Sequence, residues 1–140
     1  MIVDHICFAV KDIKKAIEDW TGAFGYRQMT EIVINSRQKV RVVFLEKENS
    51  ITIKLIEPLS DNASVLNFVQ KGGGFHHLCF KTEDGLDHSI SELKTRGLIS
   101  LVPPQPGEAF ENENIAFLLT RFGINVELIA TDRKAKKINY

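Results

Sequence analysis

The sequence predicts an α+β fold built from two tandem βαβββ modules, and three observations lead there. The first is an internal repeat. His5-Ile6-Cys7-Phe8 returns as His77-Leu78-Cys79-Phe80, 72 positions on (5 to 77), and Ile51-Thr52-Ile53-Lys54-Leu55-Ile56 returns as Ile124-Asn125-Val126-Glu127-Leu128-Ile129, 73 positions on (54 to 127). Self-similarity at a fixed period marks a duplicated structural unit. The second is that each copy carries the same signals in the same order: one strand pattern, one capped helical pattern, then three more strand patterns. The third is composition. A chain of 140 residues with 44% apolar and 26% charged content can bury a core of its own, so a metal here needs a functional explanation rather than a structural one.

In the first module, residues Ile2 to Val10 alternate and are rich in strand formers, and Asp12 is placed to cap a helix presenting Ile13, Ala16, Ile17 and Trp20 on one face up to Gly25. Strands follow at Arg27 to Ile34, Val40 to Glu46 and Ile51 to Glu57, divided by the turn-prone Asn35-Ser36 and Asn49-Ser50. In the second, a strand from Phe75 to Thr82 leads to Asp84 as helix cap, with Leu86, Ile90 and Leu93 inward and Gly97 as the stop. Strands at Leu98 to Val102, Asn114 to Leu119 and Ile124 to Ala130 complete it. The expected organisation is one domain over 1–140, with module 1 at about 1–58, a linker at about 59–74, module 2 at about 75–131 and a basic tail at 132–140. The linker carries a short helix near Ser64 to Lys71, and the tail, Arg133-Lys134-Ala135-Lys136-Lys137, reads as frayed and solvated.

Charge and targeting signals narrow the partners. Eighteen basic and eighteen acidic residues leave no net charge, hence no global field for nucleic acid or an anionic membrane. Apolar runs are far shorter than a membrane helix needs, two cysteines are no disulfide framework, and the start Met1-Ile2-Val3-Asp4-His5 has no signal-peptide form. The expectation is a cytoplasmic protein whose partner is a small molecule.

Side chains two apart on a strand share a face. Ile6, Phe8 and Val10 oppose His5 and Cys7; Leu78 and Phe80 oppose His77 and Cys79; Ile53 and Leu55 oppose Lys54; Val126 and Leu128 oppose Glu127. If the modules lie side by side with the helices behind them, His5, Lys54, His77 and Glu127 converge on one concave surface. Two imidazoles and a carboxylate suit a divalent ion such as Zn, Co, Ni, Mn or Fe. A structural hydrogen-bonding role for the strand histidines is the competing reading. Cys7 and Cys79 read as pocket lining, and so does Phe110, on a long loop where ligand contacts concentrate.

Asp4-His5-Ile6-Cys7-Phe8-Ala9-Val10, Gly73-Gly74-Phe75-His76-His77-Leu78-Cys79-Phe80 and Val126-Glu127-Leu128-Ile129 resemble the vicinal oxygen chelate superfamily of glyoxalase, bleomycin-resistance and extradiol dioxygenase proteins, most closely its methylmalonyl-CoA epimerases. The resemblance implies a glyoxalase-like fold, a U-shaped, cup-like mixed sheet with helices outside, often as a homodimer. It also implies a divalent ion held by His5, His77 and Glu127. His76, one residue earlier, is expected on the helix side or the strand edge.

Two departures divide the functional expectation. The family's fourth ligand falls on Lys54, whose ammonium has donors and no acceptor. The epimerase base, a glutamate before the third strand, falls near Arg37-Gln38-Lys39, which holds no carboxylate. One reading is a metal-dependent isomerase, epimerase or lyase acting on a carbonyl or thioester through an enolate, with Glu127 and Lys54 as catalytic groups. The other is a non-catalytic, bleomycin-resistance-like protein for a small ligand, its metal site disabled by Lys54.

Overall fold

The repeat is realised as two sets of strands meeting along their first members. The computed structural model describes residues 1–140 and runs β1 (Ile2–Ala9), α1 (Ile13–Phe24), β2 (Arg27–Gln28), β3 (Val33–Asn35), β4 (Val40–Glu46), β5 (Thr52–Pro58), α2 (Ala63–Gln70), β6 (Gly74–Lys81), α3 (Leu86–Thr95), β7 (Ile99–Gly107), a 3-10 turn (Glu108–Phe110), β8 (Glu113–Leu119) and β9 (Asn125–Ile129). One nine-stranded mixed sheet has the order β2-β4-β5-β1-β6-β9-β8-β7, with β3 also on β4. β1 and β6 pair antiparallel at its centre, β5 runs parallel to β1, and β9 runs parallel to β6. The registers Cys7↔Lys54 and Cys79↔Glu127 are equivalent in the two halves. This is the α+β, glyoxalase-like fold the sequence predicts.

Burial follows the strand alternation. Behind the sheet, α1 packs Ile13 against Val43, Leu45, Ile53 and Leu55, while α3 packs Ile90 against Ala116, Leu118 and Leu128. The concave side is no open bowl, because Phe44, Phe110, Ile115 and Phe117 fill it together with Cys7, Cys79 and Ile129. Unlike α1 and α3, the linker helix α2 joins this side, its Val65 and Val69 packing into the same cluster. No helix is long and apolar enough to cross a membrane.

Four local expectations are corrected. The stretch Arg27 to Ile34 is not one strand: Met29 N and Thr30 N both donate to Phe44 O, and the Thr30 hydroxyl accepts from Phe44 N, so the ladder breaks between β2 and β3. β7 continues past Val102 through Pro103, Pro104 and Pro106, tolerated because this edge strand pairs only with β8 and shifts register beside them. Asp84 does not cap α3; Gly85 does so without a side-chain bond, while Thr82 Oγ1 accepts from Asp84 N. The tail is docked rather than frayed. Glu31 N donates to Lys136 O, Ala135 N to Ala109 O and Ile138 N to Met29 O, so residues from both modules hold it across the concave side.

Two bulges in the central β1–β6 pair position the site. Register passes from Val3↔Phe80 to His5↔Cys79, leaving Asp4 extra on β1, and from Cys7↔His77 to Phe8↔Phe75, leaving His76 extra on β6. A bulge re-aims the unpaired residue's side chain. Gly73 immediately precedes the second bulged strand: its φ is +66°, and a Cβ there would stand 2.6 Å from Ala9 O. Gly73→Ala is therefore expected to destabilise the fold by about 2–4 kcal/mol, read from the urea midpoint.

Candidate functional site

Three side chains from three strands converge on one carboxylate oxygen of a fourth. Glu127 Oε1 accepts from His5 Nε2 at 3.0 Å, from His77 Nε2 at 3.2 Å and from Lys54 Nζ at 3.2 Å; Lys54 Nζ also lies 3.5 Å from Oε2. All four residues are buried, none more than 4% exposed. Phe110 stacks on the His5 ring and Phe44 meets its edge, with centroids 6.1 and 5.3 Å away. Phe110 also lies 5.3 Å under Lys54 Nζ, within cation–π range.

The two bulged residues each orient the histidine that follows them. Asp4 Oδ2 lies 2.7 Å from His5 Nδ1, and His76 Nδ1 lies 2.8 Å from His77 Nδ1. A partner on the far nitrogen fixes which way a ring faces. Lys134 of the tail completes the line, donating to Asp4 Oδ1 at 3.3 Å, with its Nζ 5.2 Å from both the Phe44 and Phe110 rings.

Electrostatics sharpen these assignments. Burial alone would push the Glu127 carboxyl up, but the Lys54 ammonium and the bonds from His5 and His77 hold it well below the usual carboxylate range. Burial alone would push Lys54 down, but the Glu127 charge holds it above the ordinary lysine value. The pair is therefore a charged one. Burial pushes His77 down to about 3 despite its bond to Glu127, and burial with the Lys54 charge lowers His76, so both imidazoles are neutral near pH 7. Burial raises the Cys7 thiol to about 12 and Cys79 well above its ordinary value, which keeps both as protonated, unreactive thiols.

A cavity of about 50 Å³ adjoins the cluster, walled by Val40, Ile56, Val65 and Phe117, with Lys54, Glu127, His77, His76, Asn35 and Gln38 supplying polar groups. Cys7, Cys79 and Phe110, expected as lining, are not among these residues. Cys7, Cys79 and Phe110 lie in the packed core, with Phe110 acting on His5 and Lys54. The structure brings His5, Lys54, His77 and Glu127 together as strand periodicity indicated. Asp4, His76 and Lys134 were not legible there, because a bulge and a docked tail leave no periodic signal. The doublet of histidines after Gly72-Gly73-Gly74 is the one sequence feature that marks the second bulge.

The ligand atoms of His5, His77 and Glu127 all lie within 4.8 Å of one another, a spacing suited to three metal ligands. Their charge environment does not fit a divalent ion. An ion about 2.1 Å from Glu127 Oε1 would stand no more than roughly 5 Å from the Lys54 ammonium, given the 3.2 Å pair distance. At an effective dielectric of about 20, that repulsion is about 7 kcal/mol, or about five powers of ten in affinity.

Comparison with known proteins agrees with this architecture. Residues 4–117 match the model of the Glyoxalase/Bleomycin resistance protein/Dioxygenase superfamily. The uncharacterized protein YqjC of Bacillus subtilis (strain 168) is 31% identical over 129 residues, spanning 90% of this chain and 89% of its own length. Among solved structures, a hypothetical protein of Bacillus halodurans C-125 superposes with a TM-score of 0.81 at 28% identity, covering 97% of this chain and 98% of that one. Methylmalonyl-CoA epimerase from Mycobacterium tuberculosis gives 0.77 at 28% identity, covering 91% and 86%.

Proposed function

Since the chain belongs to the Glyoxalase/Bleomycin resistance protein/Dioxygenase superfamily, we propose that it is a small-ligand-binding member in which the Lys54 ammonium stands where relatives would place a divalent ion. The observation that carries this reading is the fully buried contact of Lys54 Nζ with both oxygens of Glu127, at 3.2 and 3.5 Å. The carboxylate that would bind an ion already has a counter-cation built into the chain, and its better oxygen already receives three donors.

In this reading His5 and His77 hold Glu127 in place, and Lys54 lines the cavity beside it. Glu127 is the only carboxylate in the cavity wall. Held far below the usual range by Lys54 and the histidines, it is a weak proton acceptor. At the position where the epimerases' base falls, Gln38 reaches the cavity, and an amide takes no proton there.

The metal-dependent isomerase, epimerase or lyase is the second reading, favoured by the close spacing of His5, His77 and Glu127 and by the likeness to the Mycobacterium tuberculosis epimerase. The two separate on one measurement. Protein purified without chelator is expected to contain only substoichiometric Zn, Co, Ni, Mn or Fe by elemental analysis; one equivalent of any of them per chain would overturn the first reading and support the second.

A further inference from the structure

One side chain on one short turn covers the part of the cluster that the cavity does not reach. His5 is absent from the cavity wall; Phe110, 1% exposed, stacks on its ring instead and lies 5.3 Å from Lys54 Nζ. Phe110 sits in the 3-10 turn between β7 and β8. The two residues that follow, Glu111 (φ +56°) and Asn112 (φ +65°), both stand in the left-handed region, which a non-glycine residue keeps only when its surroundings hold it there. Those surroundings come from distant parts of the chain. Glu108 Oε1 accepts from the backbone N–H groups of Ser36 and Arg37, Ala109 O accepts from Ala135 N of the tail, and Lys134 Nζ lies 5.2 Å from the Phe110 ring.

The tail is a light fastening. Of residues 131–140 only Lys134 is buried, at 8%, so the segment inserts a charge and no buried apolar anchor. Past Lys134 its hold on the first module is by hydrogen bonds, from Glu31 N to Lys136 O, from Ile138 N to Met29 O and from the Tyr140 hydroxyl to Gln28 O. Segments with few buried apolar contacts open at far lower cost than central strands, and the lids of binding sites are drawn from them. The opposite wall is firmer, because α2 buries both Val65 and Val69. Space also calls for an opening. The closed cavity holds about 50 Å³, against roughly 300–1,000 Å³ for pockets that take small molecules.

We propose that residues 131–140 latch the Phe110 turn over His5 and Lys54, and that release of the tail lets the turn swing out and admit a ligand to the cluster. This deepens the small-ligand reading above by supplying the route to its site, and it rests on that reading.

Cys79 reports the opening. Its sulfur lies within 4.8 Å of ligand atoms of His5 and Asp4, whereas Cys7 holds the equivalent place beside His77 and His76, which line the cavity; both cysteines are 0% exposed. The whole chain is treated with methyl methanethiosulfonate near pH 8 in a urea series below the unfolding transition, and the rate at each cysteine is read by peptide mass spectrometry. Wild-type Cys79 is expected to react with little dependence on urea and at least about tenfold faster than global unfolding allows. Lys134→Met and Ala135→Pro remove the charge and the N–H of the latch. Each is expected to speed Cys79 by at least about tenfold more than Cys7, the worth of one lost hydrogen bond, and to speed amide exchange at Asn112, whose N–H bonds to Gly107 O within the turn. Cys79 reacting only at the global-unfolding rate in the wild type, or equal acceleration of Cys7 and Cys79 in the variants, overturns the latch. The small-ligand reading would still stand, since the elemental analysis above decides it separately. The wild-type urea series decides the latch even if neither variant folds.

Discussion

Glu127→Gln is expected to destabilise the protein by about 3–5 kcal/mol, one of the largest losses any single substitution here should produce. The side chain is 1% exposed and nearly isosteric with glutamine, so packing hardly changes. What changes is that the Lys54 ammonium, 4% exposed, loses its counter-charge while still buried. The new amide also brings two N–H groups into a cluster where His5, His77 and Lys54 already donate. Burying two charges costs nearly what their attraction returns, so removing both should cost much less than removing one. Lys54→Met combined with Glu127→Gln is accordingly expected to recover most of the loss, as a double-mutant cycle in urea would show. A Glu127→Gln protein within about 1 kcal/mol of wild type would mean that the pair is not charged in the folded state.

Stability is expected to fall as the pH drops below about 6.5, and His77 is the first cause. Burial depresses the folded-state value of His77 to about 3. Between the unfolded value of about 6.5 and that depressed value, the unfolded chain binds a proton that the folded chain does not, so unfolding gains about 1.4 kcal/mol per pH unit. Glu127 is depressed too, so its contribution is present above its unfolded value and lost as the pH falls toward its lower folded value. A second, steeper limb thus begins near pH 4.5. Lys54 is raised, so its contribution persists through neutral pH and is lost only as the pH rises through its elevated folded value. Urea midpoints from pH 4 to 8 check this. His77→Phe should remove about one proton's worth of slope between pH 6.5 and 4.5; an unchanged slope would assign the acid limb elsewhere.

Much of the site could be read from strand parity. In β1, β5, β6 and β9 the pairing is regular at Cys7, Lys54, Cys79 and Glu127, so counting by two places His5, Lys54, His77 and Glu127 on the concave side. The residues that escape such counting are those at which the period breaks. Asp4 and His76 occupy equivalent places in the repeat, one position before His5 and His77, and both are extra residues in the β1–β6 ladder. Strict alternation points them away from the site, whereas the bulges turn them to the histidines' far nitrogens.

The docked tail escaped for a different reason. Its Lys134 is held by Asp4 and by the faces of Phe44 and Phe110, partners far away in sequence. A local excess of lysine and arginine gives no hint of such contacts. The role of α2 was hidden in the same way, since the spacing of Val65 and Val69 shows that the helix has an apolar face but not which side of the sheet receives it. Lys54, which matches Glu127 in the repeat, was visible from the start, and the structure shows that it reaches the carboxylate.

That contact is the central claim, and calorimetric titration of Zn and Co into wild-type and Lys54→Gln protein at pH 7.5 tests it most directly. The wild type is expected to show no specific binding tighter than about millimolar, and Lys54→Gln to bind at least about a thousandfold more tightly through His5, His77 and Glu127, once the ammonium's repulsion of about 7 kcal/mol is removed and partly offset by side-chain adjustment. Stoichiometric, tight binding by the wild type, unchanged in Lys54→Gln, would contradict the account.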